Sequence, residues 1–131
     1  MSGTSGAAAV DRLATVMVPV SDQDAGIAFY RDRLGFELRA DIPMGRGERW
    51  VEVAPPGGET TVALVRPREG EAVGINTRLA LGTTDIDGDH SALLAGGVDV
   101  DEAVMRMGDP VPPMFFFRDL DGNSLLLVQR T

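Results

Sequence analysis

Residues Thr15 to Val20 alternate strictly, with Val16, Val18 and Val20 on one face and Thr15, Met17 and Pro19 on the other. That period of two predicts a β-strand. The polar run Ser21-Asp22-Gln23-Asp24 follows. It reads as a helix start, with Ser21 accepting amide hydrogen bonds and Asp24 favoured by the helix dipole. Ile27, Tyr30 and Leu34 share one side of the predicted helix, Phe29 lies nearby, and Gly35 ends it. Three strands are expected next, at 36–41, 50–54 and 61–66, joined by turns at Gly45-Arg46-Gly47 and Pro55-Pro56-Gly57-Gly58.

The second half repeats this order. Arg78, Ala80 and Gly82 fall on one face of a predicted strand, and Leu79, Leu81 and Thr83 on the other. Asp85 caps a helix that ends at Gly96-Gly97, and strands are expected at 98–104, 114–118 and 124–129. Asp22 laid on Asp85 nearly superimposes Leu34-Gly35-Phe36 on Gly96-Gly97-Val98. The chain thus reads as α+β, two tandem βαβββ modules that must come together because each leaves one sheet face bare. The expected division is a tail over 1–11, a first module over 12–66, a linker over 67–76 and a second module over 77–131. The shared surface is expected to be a cleft between curved mixed sheets.

Composition narrows the function. A chain of 131 residues suits one domain or two small modules with a common core. The formal net charge of −8 disfavours nucleic acid, whose phosphates need clustered Lys and Arg, and suits a cationic or neutral ligand or plain solubility. Cysteine is absent, which removes disulfides, thiolate metal sites and a cysteine nucleophile, and points to the cytoplasm. No apolar run has the length of a bilayer span, so no membrane partner is expected. Residues 1–9 lack the basic start and apolar centre of a secretory signal.

Four segments carry a family resemblance: Val20-Ser21-Asp22-Gln23-Asp24, Phe29 through Phe36, Gly96-Gly97-Val98, and Phe117-Arg118-Asp119-Leu120-Asp121-Gly122-Asn123. On these the chain resembles the vicinal oxygen chelate superfamily, which includes glyoxalase I, bleomycin-resistance proteins and extradiol dioxygenases. Metal-dependent members hold a divalent ion with side chains from the first and last strand of each module. The resemblance places those ligands at Thr15, Arg78, Leu126 and, with less definition, Ala63. None is an ordinary metal ligand, and Arg78 brings a positive charge where a cation would sit. Glu59 supplies at most one carboxylate. No metal and no cofactor are therefore expected, whereas a homodimer is, because the fold often pairs through sheet edges.

Alternation assigns the concave face to Thr15, Met17, Trp50, Glu52, Thr61, Ala63, Arg78, Ala80 and Leu126. Phe116 joins them, and Met105 and Met107 stand where they would close the mouth. Trp50 either stacks on a planar ligand or fills the sheet interface. Glu52 is an exposed strand residue, a ligand-cation partner, or a base if desolvation raises its pKa. Arg78 binds an anionic ligand group or pairs with Glu52. His90, the only histidine, is expected to face solvent. Asp119 to Asn123 reads as a turn rather than a calcium loop, because its glycine comes too early and no Glu closes it. The function expected is metal-independent binding of a hydrophobic or aromatic small molecule. The alternative is an enzyme of the same superfamily, a lyase, isomerase or dioxygenase, either metal-free through Glu52 and Arg78 or using an atypical ligand set.

Overall fold

The computed structural model describes residues 6–131, so residues 1–5 of the expected tail lie outside the described residues. Ten elements follow in order: β1 (Thr15–Pro19), α1 (Gln23–Leu34), β2 (Glu37–Gly45), β3 (Glu48–Ala54), β4 (Thr61–Val65), β5 (Asn76–Thr83), α2 (Ile86–Ala95), β6 (Asp99–Val100), β7 (Met114–Arg118) and β8 (Ser124–Gln129). The strands form two mixed four-stranded sheets, ordered β1-β4-β3-β2 and β5-β8-β7-β6. In each, the module's first strand runs parallel to its last and every other pairing is antiparallel. The α+β class and the repeated βαβββ plan are those expected from the alternation.

Local chemistry sets the helix ends. The N-cap of α1 is Asp22, whose carboxylate accepts from the Ala25 amide at 3.1 Å. Ser21, expected in that role, instead donates its hydroxyl to Asp121, 100 residues away. Gly35 stops α1 at φ 72°, a left-handed conformation in which a Cβ is costly. Asp85 caps α2 by accepting from the Gly88 amide at 3.1 Å.

Two strands differ most from expectation, while β3 and β5 each begin two residues early, at Glu48 and at Asn76 inside the expected linker. β2 runs on to Gly45, because the hairpin with β3 carries its pairing past Asp41, where Arg49 pairs with the Asp41 carboxylate. The strand expected over 98–104 shrinks to Asp99–Val100, and pairing resumes only as a single bridge between Met105 and Met114.

One apolar core joins the modules. Val18, Val20, Val51, Val53 and Leu64 of the first sheet pack with Ile27, Phe29 and Tyr30 of α1 and with Phe115, Phe117, Leu125 and Leu127 of the second sheet. Buried polar groups fasten it. Tyr30 donates to Asp119 Oδ2 at 3.1 Å, and Asn123 Nδ2 donates to the Pro19 carbonyl at 2.8 Å and to Asp119 at 2.9 Å. The helix-bearing faces thus meet inside the chain, and the opposite faces turn outward. Among the described residues, no helix is long and apolar enough to cross a membrane.

Candidate functional site

The outward face of the first sheet is built by register. Met17 pairs with Ala63, Ala63 with Glu52, and Glu52 with Ala40, so these four form one row across the sheet. Ile42 stands beside Trp50 in the next row. Two alanines flank Glu52 and leave a trough between taller side chains. Met17 is 60% exposed, and Ile42 and Met44 are each 54% exposed, a high value for apolar side chains on a sheet. Ile42 lies beyond the strand expected at 36–41, and its i, i+2 spacing after Ala40 is the signal that extends the face to it.

Glu52 is the centre of a hydrogen-bonded chain. Trp50 Nε1–H donates to Glu52 Oε2, and the Thr61 hydroxyl donates to Oε1 at 2.7 Å. Thr61 Oγ1 lies 2.8 Å from Thr15 Oγ1, and Thr15 also reaches the Thr61 carbonyl at 3.2 Å. The hydrogen bonds from Thr61 and then Trp50 hold the Glu52 carboxyl below the usual range and outweigh desolvation, which acts in the opposite direction. Of the three readings of Glu52, the base required desolvation to raise its pKa, and the direction here is the opposite. A carboxylate with both oxygens engaged and a lowered pKa is a weak proton acceptor at neutral pH.

The second sheet offers a parallel row, Ala80, Leu126 and Phe116. Leu126 and Phe116 are half-buried and Ala80 is exposed. Arg78 departs from it. Its φ of 61° is left-handed, and the ladder slips between Asn76 and Ala80. Asn76 Oδ1 accepts from the Arg78 amide, and Thr77 Oγ1 accepts from the Leu79 amide and donates to the Ser124 carbonyl. These short polar side chains hold the detour open and lift Arg78 into solvent. The expected Glu52–Arg78 pair is not formed; among the described residues Arg78 makes no ion pair.

Other expectations resolve in particular ways. Met105 bridges Met114 and is 36% exposed, while Met107 beyond it is 64% exposed. Glu59 precedes β4 and is exposed. His90 is only partly exposed. Its Nε2 lies 2.7 Å from the Asp101 carbonyl and its ring meets Phe115 edge-to-face at 4.9 Å. Two hollows, of about 260 and 380 Å³, open on the helix side, lined by residues such as Leu34, Leu81 and Leu93 or Phe29, Val98 and Arg118. Neither touches the Trp50 face, which within one chain is a single wall.

The donor set can be tested against the metal of the resembling family. Thr15, Ala63, Arg78 and Leu126 offer one hydroxyl, two hydrocarbons and a guanidinium, which do not fit a divalent ion. Among the described residues, no three His, Cys, Asp or Glu side chains gather as a metal set.

Comparison with known proteins decides the family. Residues 12–127 match the family model of the Glyoxalase/Bleomycin resistance protein/Dioxygenase superfamily. The chain belongs to this glyoxalase superfamily. A crystal structure of TnmS3, "an antibiotic binding protein" from Streptomyces sp. CB03234, is 36% identical with TM-score 0.82, spanning 95% of this chain and all of that one. A glyoxalase-superfamily structure from Sphaerobacter thermophilus DSM 20745 is 33% identical with TM-score 0.86, over 92% of this chain and 98% of the other. The uncharacterized protein YetH of Bacillus subtilis (strain 168) is 31% identical over 121 residues, 90% of this chain and 98% of its own.

Proposed function

We propose that this glyoxalase-superfamily chain is a metal-independent small-molecule-binding protein that holds a hydrophobic or aromatic organic ligand against the Trp50 face. One observation carries the reading: the site built around Glu52 presents an indole, a methionine and small side chains, with its polar atoms already engaged with one another. Such a surface grips a ring and has no activated group to transform it. The likeness to an antibiotic-binding protein supports the same direction. A catalytic pair of Glu52 and Arg78 is disfavoured by the lowered pKa of Glu52 and by the outward position of Arg78.

The occupied site is a homodimer's. Met17, Ile42 and Met44 lie bare on one chain, and β1 and β5 are free sheet edges. A second copy that set its Ala80–Leu126–Phe116 face opposite Trp50 would turn two walls into a cleft.

The test is a screen of aromatic small molecules by equilibrium dialysis, before and after exhaustive treatment with EDTA, with elemental analysis of the protein. Saturable, stoichiometric binding without product formation, unchanged by the chelator, is expected. A stoichiometric divalent ion whose removal abolishes binding, or turnover of a bound compound, overturns the reading. Sedimentation equilibrium that finds only monomer overturns the dimer.

A further inference from the structure

The Glu52 carboxylate is unusual in one respect. Its two oxygens accept from Trp50 and Thr61, yet among the described residues no Arg or His pairs with it. A charge on an apolar face normally has a cationic partner or an exit into bulk water. Glu52 has no such partner and relies on water: it is half-exposed, and its row neighbours Ala40 and Ala63 are too short to cover it. The negative charge therefore faces whatever lies in the trough.

The indole is set by the same group. Trp50 and Glu52 are two apart on β3 and so share a face, and the N–H edge of the ring is turned along the strand toward the carboxylate. That bond satisfies the ring's single donor, leaving its π-face for a ligand. An indole donating to an anion becomes richer in π-electron density, which favours a cation over the ring. Thr61 and Thr15 brace the carboxylate from behind, which limits its freedom to swing away.

From this geometry we infer that Glu52 is a positioning and specificity residue: it clamps the Trp50 indole, and its negative charge makes the face select planar aromatic cations over neutral rings of the same shape. The inference rests on the ligand-binding reading above and names the ligand's chemical class. Net charge of −8 acts in the same sense at longer range.

The test uses the full chain, wild type, Glu52→Gln and Glu52→Ala, at mildly alkaline pH where quinoline is neutral. Binding of N-methylquinolinium and of quinoline is measured by equilibrium dialysis. Separately, without ligand, acrylamide quenching and emission anisotropy report on Trp50, the only tryptophan. Wild type is expected to bind the cation about 3- to 10-fold tighter than quinoline, the range of a partly desolvated cation–π contact. Glu52→Gln keeps an amide oxygen for the indole N–H, so its quenching stays that of wild type while the preference for the cation disappears. Glu52→Ala frees the ring, raising quenching and weakening both probes. Equal affinities in wild type, an undiminished cation preference in Glu52→Gln, or unaltered quenching in Glu52→Ala overturns the inference. Failure of wild type to bind either probe counts against the ligand-binding reading itself, and the quenching comparison then still decides whether Glu52 clamps the ring.

Discussion

Asn123 shows how much one side chain can carry. It is fully buried and uses every polar atom it has. Its amide nitrogen donates to the Pro19 carbonyl and Asp119, and its oxygen accepts from the Gly74 and Ile75 amides at 2.9 and 3.1 Å. Truncation strands backbone groups of the first module and of the linker at once. Asn123→Ala should therefore cost about 2–4 kcal/mol, read as a lower urea midpoint, the loss of several buried partners exceeding that of one average hydrogen bond. Asn123→Asp should be no milder, because it removes the donors and faces Asp119. Arg78 is the opposite case. It holds a left-handed φ of 61° with an exposed side chain that makes no ion pair among the described residues, so Arg78→Gly should leave the urea midpoint unchanged or raise stability by up to about 1 kcal/mol.

At the scale of elements, the linker between β4 and β5 offers a controlled comparison. Gly70 and Gly74 both have positive φ, 81° and 75°. A Cβ on Gly70 would meet nothing, whereas one on Gly74 would come within 2.9 Å of the Asp121 carbonyl oxygen. Gly70→Ala should thus cost about 1 kcal/mol, the backbone strain alone. Gly74→Ala should cost clearly more in the same urea measurement, because the linker must lift off the β7–β8 turn. Equal costs would show that the linker yields freely there. The elements themselves were largely legible: β7 and β8 stand where their apolar runs and the Asp-Gly turn put them, and Gly35 and Asp85 end and start their helices. What was not legible depends on contacts distant in sequence. Ser21 left the cap because Asp121 holds its hydroxyl, and His90 is drawn partly out of solvent by Phe115 and the Asp101 carbonyl. Which side chains share the outward face was readable in β1, β3 and β8, where period two is unbroken. At Arg78 the structure adds a bulge, held by Asn76 and Thr77 side chains, that carries no signature in the apolar pattern.

For the whole molecule, the shared core means that the modules stand or fall together, and Tyr30 offers a way to see it. Its side chain is fully buried between them, donating to Asp119. Burial first, then the adjacent Asp119 and Asp121 charges, push the phenol far above its ordinary value of about 10. In the folded chain Tyr30 keeps its proton at a pH where the unfolded chain has lost it. Its contribution is therefore complete below pH about 10 and declines as pH rises beyond, by up to about 1.4 kcal/mol per pH unit. Ordinarily lysine and cysteine titrate across that range and blur such a limb. This sequence has neither, and Tyr30 is its only tyrosine, so the alkaline limb belongs to one group. Wild type should hold its urea midpoint from neutral pH to about 10 and then lose it steeply, phenolate absorbance appearing only with unfolding. Tyr30→Phe should start about 1 kcal/mol lower at neutral pH, from the lost bond to Asp119, and then stay nearly flat through the alkaline range. Trp50 fluorescence reports the first module and the His90 ring resonances the second; both should follow the same transition in each protein. A steep alkaline loss that survives in Tyr30→Phe would place the titrating group elsewhere, and separate transitions for the two probes would show that the core does not couple the modules.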